Sequence, residues 1–126
     1  MLKKTRSILI WSIVALAVVA GISYAIYSSS QPGKLDEFAQ CLEEKGAVFY
    51  GAFWCSHCQA TKDLFGKSAK FLPYVECSTP DGRGQSLVCT QKNITGYPTW
   101  EFSDGNRLSG EVSLNTLVEK TGCKLP

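Results

Sequence analysis

The stretch Phe49-Tyr50-Gly51-Ala52-Phe53-Trp54-Cys55-Ser56-His57-Cys58-Gln59-Ala60-Thr61-Lys62-Asp63-Leu64-Phe65 decides how the rest of the chain is read. An apolar run ends in two cysteines with two residues between them, and a polar, helix-like segment follows. One spacer residue, His57, is the only histidine in the protein. Ala47 to Ala52, short and rich in Val and aromatics, predicts a buried strand. Ser56 to about Lys70 predicts the helix after it, with Ala60, Leu64 and Phe65 on one side. Cys55 then falls where the strand gives way to the first helical turn. Unpaired N–H groups there carry partial positive charge and stabilise a thiolate. Cys58 lies one turn on, close enough for a small disulfide ring and more shielded.

Working outward, Leu35 to Lys45 predicts a helix through Leu35, Phe38 and Leu42, with Gly46 as its stop. Pro73 to Cys77 reads as a second short strand, and residues 78–84 as a loop by composition. Gln85 to Lys92 reads as a short helix and Thr99 to Ser103 as a third strand. Asp104-Gly105-Asn106 turns the chain, and Arg107 to Gly110 returns antiparallel. Ser113 to Thr121 is the last helix, with Leu114, Leu117 and Val118 inward and Gly122 ending it. The order α-β-α-β-α-β-β-α predicts an α/β fold. Helices between the early strands favour parallel pairing there, and the late hairpin adds an antiparallel edge.

The first residues differ in kind. Lys3, Lys4 and Arg6 precede Ile8 to Tyr27, 20 residues without a charge. That length spans a bilayer as a helix, and the basic flank predicts a cytoplasmic N-terminus with the remainder across the membrane. Val18-Val19-Ala20 also offers a signal-peptide cleavage site before Gly21. The apolar run continues past it, which favours an uncleaved signal-anchor. We therefore expect residues 1–27 as basic flank and transmembrane anchor, 28–34 as linker and 35–126 as an extracytoplasmic domain, periplasmic or in an equivalent oxidising compartment. The net charge of +2 drops to −1 once the three basic residues before the apolar run are set aside. Nothing in that balance suggests a nucleic-acid partner.

All six cysteines lie beyond the apolar run. An even count in an exported domain favours disulfides, although six cysteines alone allow 15 full pairings. A zinc site is the chemical competitor. Structural zinc takes four ligands, often as two close pairs, and only Cys55 and Cys58 form such a pair, so we expect no metal. A purely structural bridge across so small a ring adds little chain-entropy stabilisation. A reactive dithiol remains: Cys55 exchanges with a substrate sulfur and Cys58 resolves the mixed disulfide. His57 would donate a hydrogen bond to the Cys55 thiolate or place positive charge beside it. Either favours the reduced form and makes the disulfide more oxidising; the plain alternative is an exposed helix residue. No cofactor is expected beyond the Cys55-Cys58 pair itself. Far along the chain, Tyr97-Pro98-Thr99 puts a proline directly before a strand, which suggests a cis bond or an end to pairing.

Phe53-Trp54-Cys55-Ser56-His57-Cys58 with Tyr97-Pro98-Thr99 resembles the thioredoxin superfamily. The wider set YGAFWCSHC, DLFG, PYVEC, ITGYPTW and LSG, with the final leucine-bearing helix, resembles the thioredoxin-like domain associated with bacterial and plant vitamin K epoxide reductase homologues. The likeness runs from about Leu35 to Gly122. It implies a thioredoxin-like fold, with a mixed central sheet of about four strands flanked by helices. It implies Cys55, His57 and Cys58 as the redox centre, with Trp54, Tyr97 and Pro98 meeting the substrate. It also implies protein thiol and disulfide substrates and a membrane partner of the vitamin K epoxide reductase type that passes electrons to a quinone. With one membrane segment in the sequence, that partner is expected as a separate chain. Reducing thioredoxins carry a buried acid six residues before the first active-site cysteine; here Phe49 stands there, and the spacer is Ser-His rather than Gly-Pro. We expect an oxidase, with a disulfide reductase and a non-catalytic binding module as alternatives. The resemblance also suggests Cys77-Cys89 as a clamp on the loop between them. Cys41 and Cys123 then remain to staple the ends of the domain.

Overall fold

The computed structural model describes residues 2–126, with side chains from residue 5 onward. It divides into two compact units, residues 1–31 and 32–126. The first is a single helix, α1 (Leu2–Ser30). Its 26 residues Thr5–Ser30 are long and apolar enough to cross a membrane, a property that a signal sequence shares. The helix runs on through Ser28, Ser29 and Ser30, where the composition suggested a tether. Ser29 and Ser30 each turn a hydroxyl back onto the carbonyl three residues earlier, at 3.0 and 2.9 Å. These local bonds occupy the serine hydroxyls within the last helical turn.

The second unit holds α2 (Asp36–Glu44), β1 (Val48–Gly51), α3 (Ser56–Phe65), a 3₁₀ turn (Gly66–Phe71), β2 (Tyr74–Glu76), α4 (Leu87–Gln91), β3 (Thr99–Glu101), β4 (Arg107–Ser109) and α5 (Leu114–Thr121). The strands form one mixed sheet in the order β2-β1-β3-β4. β1 and β2 are parallel, joined by the α3 crossover. β3 runs antiparallel to β1, and β4 antiparallel to β3. This is the α/β, thioredoxin-like arrangement that the sequence predicts. The helix expected over residues 56–70 is interrupted. Gly66 takes φ +52 as the C-cap of α3, a left-handed conformation that favours glycine, and the chain continues as the 3₁₀ turn.

The central register sets Phe49 opposite both Tyr74 and Trp100. The Phe49 and Trp100 rings stack at 4.8 Å between centroids, and Tyr74 meets Phe49 edge-on at 5.3 Å. Phe38 and Leu42 of α2, Phe65 of α3 and Leu117 of α5 close over these rings in one buried cluster. Truncating a fully buried ring such as Trp100 to alanine costs about 3–5 kcal/mol. The alternate residue Tyr50 belongs to a second cluster with Cys77, Cys89 and Ile94, as strand alternation requires.

Two disulfides tie down the periphery. Cys41 in α2 is bonded to Cys123, just past α5, with Cα atoms 5.9 Å apart. Cys77, after β2, is bonded to Cys89 in α4 at 5.5 Å. Cys55 and Cys58 are unbonded thiols.

Candidate active site

The site is assembled where β1 ends. Cys55 is the N-cap of α3, with extended backbone, and its sulfur accepts the Cys58 N–H at 3.4 Å. A sulfur in that position takes up one of the donors that a helix start leaves unpaired. The Cys55 thiol also reaches the Tyr97 carbonyl at 3.6 Å, which brings the two distant sequence motifs together. The Tyr97-Pro98 peptide bond is cis. Trp54, Cys55, Ser56, His57, Thr95, Gly96 and Tyr97 line an open cleft of about 470 Å³.

The two cysteines differ in access. Cys55 retains 8% of its surface and Cys58 none. Burial pushes the Cys58 thiol up to about 12, and the neighbouring Cys55 adds to the shift. A backbone hydrogen bond at Ala52 and the charge of Lys62 work the other way. Cys58 is thus held as a thiol at neutral pH. Gly51 is what lets it sit so deep. A Cβ on residue 51 would stand 3.0 Å from the Cys58 sulfur and 2.8 Å from Tyr74 Cε2.

His57 stands at the rim, two-thirds exposed. Its Nδ1 lies 2.6 Å from Glu111 Oε1, in the segment between β4 and α5. The sequence reading aimed this imidazole at the Cys55 sulfur. The structure gives it a carboxylate partner instead, 54 residues away in sequence.

Trp54 is more than half exposed, yet its indole N–H donates to Ser78 Oγ at 2.9 Å. Its ring meets Tyr97 edge-on at 5.9 Å. The Tyr97 hydroxyl accepts from Gln85 Nε2 at 2.6 Å, and the same amide nitrogen donates to the Ile94 carbonyl. Beneath the other side of the turn, Glu76 accepts the N–H groups of Phe53 and Ser78 on Oε1 and the Tyr74 hydroxyl on Oε2. Sequence reasoning named Trp54, Cys55, His57, Cys58, Tyr97 and Pro98. It passed over Ser78, Gln85, Glu76 and Glu111. These are common polar residues at no diagnostic spacing, and only the closed fold brings them into place.

No protein-family model matches the chain. It is 47% identical over 105 residues, 79% of its length, to the thiol-disulfide oxidoreductase LTO1 of Arabidopsis thaliana. It is 30% identical over 105 residues, 78% of its length, to a protein disulfide-isomerase A6 homolog of Drosophila melanogaster. Over a shorter stretch of 69 residues it is 36% identical to protein disulfide-isomerase A2 of Pongo abelii. The chain spans only 27%, 24% and 13% of the lengths of these relatives. The likeness, the mixed sheet and the dithiol at a helix start beside a cis proline agree with one another: the unit of residues 32–126 is a thioredoxin-like domain.

Proposed function

We propose that this protein is a membrane-anchored, extracytoplasmic thiol-disulfide oxidoreductase. The observation that carries the reading is the asymmetry of the dithiol. One sulfur caps a helix at the floor of a cleft; the other is fully buried one turn behind. Cys55 exchanges with a protein sulfur docked along Trp54 and Tyr97. In oxidation a substrate thiolate attacks Cys55, Cys58 leaves as a thiolate, and a second substrate thiol then displaces Cys55; in reduction Cys58 attacks Cys55 of the mixed disulfide and the substrate leaves as a thiolate. The naming of two kinds of relative for disulfide chemistry supports the same reading. In this reading His57, whose partner is Glu111, tunes the Cys55 sulfur from the rim of the cleft.

We take the net direction to be oxidation of substrate thiols, with the Cys55-Cys58 disulfide restored by a membrane enzyme of the vitamin K epoxide reductase type. Phe49, buried against Trp100 where a reducing thioredoxin carries an acid, favours that direction. An α1 long enough to span a bilayer would hold the domain beside such a partner and raise its effective concentration. The test is refolding of a reduced, disulfide-requiring protein by the oxidised chain, alongside reduction of insulin by the dithiol form. Efficient refolding with Cys55-Cys58 oxidised in living cells is expected. A pair kept reduced in cells would reverse the direction, and failure in both assays would leave a binding module.

A further inference from the structure

A dithiol cycle has a proton to place. When Cys58 attacks the mixed disulfide it must shed one, and when Cys58 leaves as a thiolate it must regain one. Cys58 is fully buried, and the position six residues before Cys55 holds Phe49 rather than a carboxylate. The titratable groups near the sulfur lie on α3 and β2. On α3 there are Cys55 and, one turn beyond Cys58, Lys62. On β2 there are Tyr74 and Glu76. β1, packed between them, supplies Phe49 and Gly51, neither of which titrates.

Tyr74 Cε2 stands 2.8 Å and the Cys58 sulfur 3.0 Å from where a side chain on Gly51 would begin, so both border the space beside that glycine. Cε2 neighbours the ring carbon that bears the hydroxyl. That hydroxyl donates to Glu76 Oε2 at 2.7 Å. Lys62 Nζ sits 3.5 Å over the Tyr74 ring. Glu76 is half-buried and fixed on its other oxygen by the Phe53 and Ser78 N–H groups.

Resting on the exchange reading above, we infer that Tyr74 and Glu76 form the proton-handling pair for Cys58, with Glu76 as the acceptor and the Tyr74 hydroxyl as the relay. As Cys58 attacks, its proton passes to the phenol oxygen while the phenol passes its own to the Glu76 carboxylate. The Cys58–Cys55 bond forms, the bond from Cys55 to the substrate sulfur breaks, and the substrate leaves as a thiolate. In the reverse direction Glu76 returns the proton as Cys58 departs. Burial and the bond to Glu76 both hold the Tyr74 hydroxyl protonated, which suits a relay and not a base. Lys62, held over the ring, favours the thiolate while it lasts.

The experiment uses the full chain in detergent. The reduced protein is mixed with dithio-bis-nitrobenzoate, and the second release of thionitrobenzoate, which reports Cys58 displacing the aromatic thiol from Cys55, is followed between pH 6 and 10. Glu76→Gln keeps an acceptor for the two N–H groups, and Tyr74→Phe keeps the ring. Each is expected to slow the second release about 100-fold at pH 7, the low end for a lost general base. Each should regain the wild-type rate as hydroxide takes over at high pH, and Glu76→Asp should restore part of the loss. Superimposable profiles, slowing by one factor at every pH, or an effect confined to one variant would each overturn the inference. A wild-type chain that shows no second release overturns the exchange reading itself.

Discussion

The Cys55/Cys58 pair and the Cys77-Cys89 bridge hang from the ends of neighbouring parallel strands, yet they are built for opposite ends. Cys77 follows β2 and is joined across a 12-residue separation to a helix that packs on Tyr50; both sulfurs are fully buried. Cys55 follows β1 by a short turn, only three residues from its partner, and one of the two sulfurs reaches a cleft. Burial does not separate the pairs, since Cys58 is as deep as Cys77. What separates them is the size of the loop closed and the presence of one accessible sulfur at a helix start. A long loop gives a bridge its stabilising effect in the chain-entropy account. A tiny ring gives little, so its disulfide is free to be made and broken.

The sharpest way to break this contrast is substitution of Cys55. Cys55→Ala should abolish exchange, whereas Cys58→Ala should accumulate mixed disulfides with substrates, seen as reductant-sensitive adducts by mass analysis. Equal trapping by both variants would erase the division of labour. Next comes alkylation. With its thiol pushed up to about 12, Cys58 should be thiolate in about one molecule in 10⁴ at pH 8, so iodoacetamide should label Cys55 and spare Cys58 in the folded, reduced chain. The same shift has a signed effect on stability. Below an unfolded value near 9, both states keep the proton. Between there and about 12 only the unfolded chain sheds it, so the reduced form should lose stability as pH rises through that window. Urea titrations at pH 8 and 10 measure it.

The bridges should show smaller but large effects. Replacing Cys41 and Cys123 with serine removes closure over an 82-residue separation, about 4 kcal/mol, or near a thousandfold in the folding equilibrium. The corresponding pair for Cys77 and Cys89 should lose about 3 kcal/mol. Graded reduction should open neither before an oxidised Cys55-Cys58 pair. Early labelling of Cys41 or Cys123 would make that bridge a second relay. The smallest effect belongs to the rim. His57→Ala should make the dithiol less oxidising, and Glu111→Gln should move the potential the same way by less. An exposed pair of this kind is worth about 0.2–1 kcal/mol, roughly 5–20 mV in a two-electron couple. Equilibration against glutathione reads both.

The alternation of apolar runs with helical patterns located the strands and helices, but it favoured parallel pairing among the early strands, and β3 runs antiparallel to β1. The α3 helix and the hairpin at Asp104-Gly105-Asn106 were legible from local chemistry, since both are decided by neighbours in sequence. The break at Gly66 was not, because a glycine inside a helical pattern reads equally as tolerated or as a stop. At the candidate site the cysteines, the spacer histidine and the proline stand out by type and spacing. Their supports do not. Glu111 is 54 residues from His57, Ser78 is 24 from Trp54, and Gln85 is 12 from Tyr97. Each is a polar residue whose partner is chosen by strand register and loop path, so no window along the chain contains the signal.

The hydrogen bonds that fix Trp54 on Ser78 and Tyr97 on Gln85 have a consequence for recognition. Exposed aromatic rings on a free surface sample several rotamers, and a binding partner must freeze them at a cost of about 0.5–1.5 kcal/mol per side chain. Here Ser78 follows Cys77 directly and Gln85 lies between the two bridged cysteines, so the Cys77-Cys89 clamp restrains both acceptor and donor. The wall is preorganised. A partner docking on this wall would lose its own freedom but little of the protein's. Opening the clamp should leave the dithiol's chemistry in place while raising the entropic cost of every encounter.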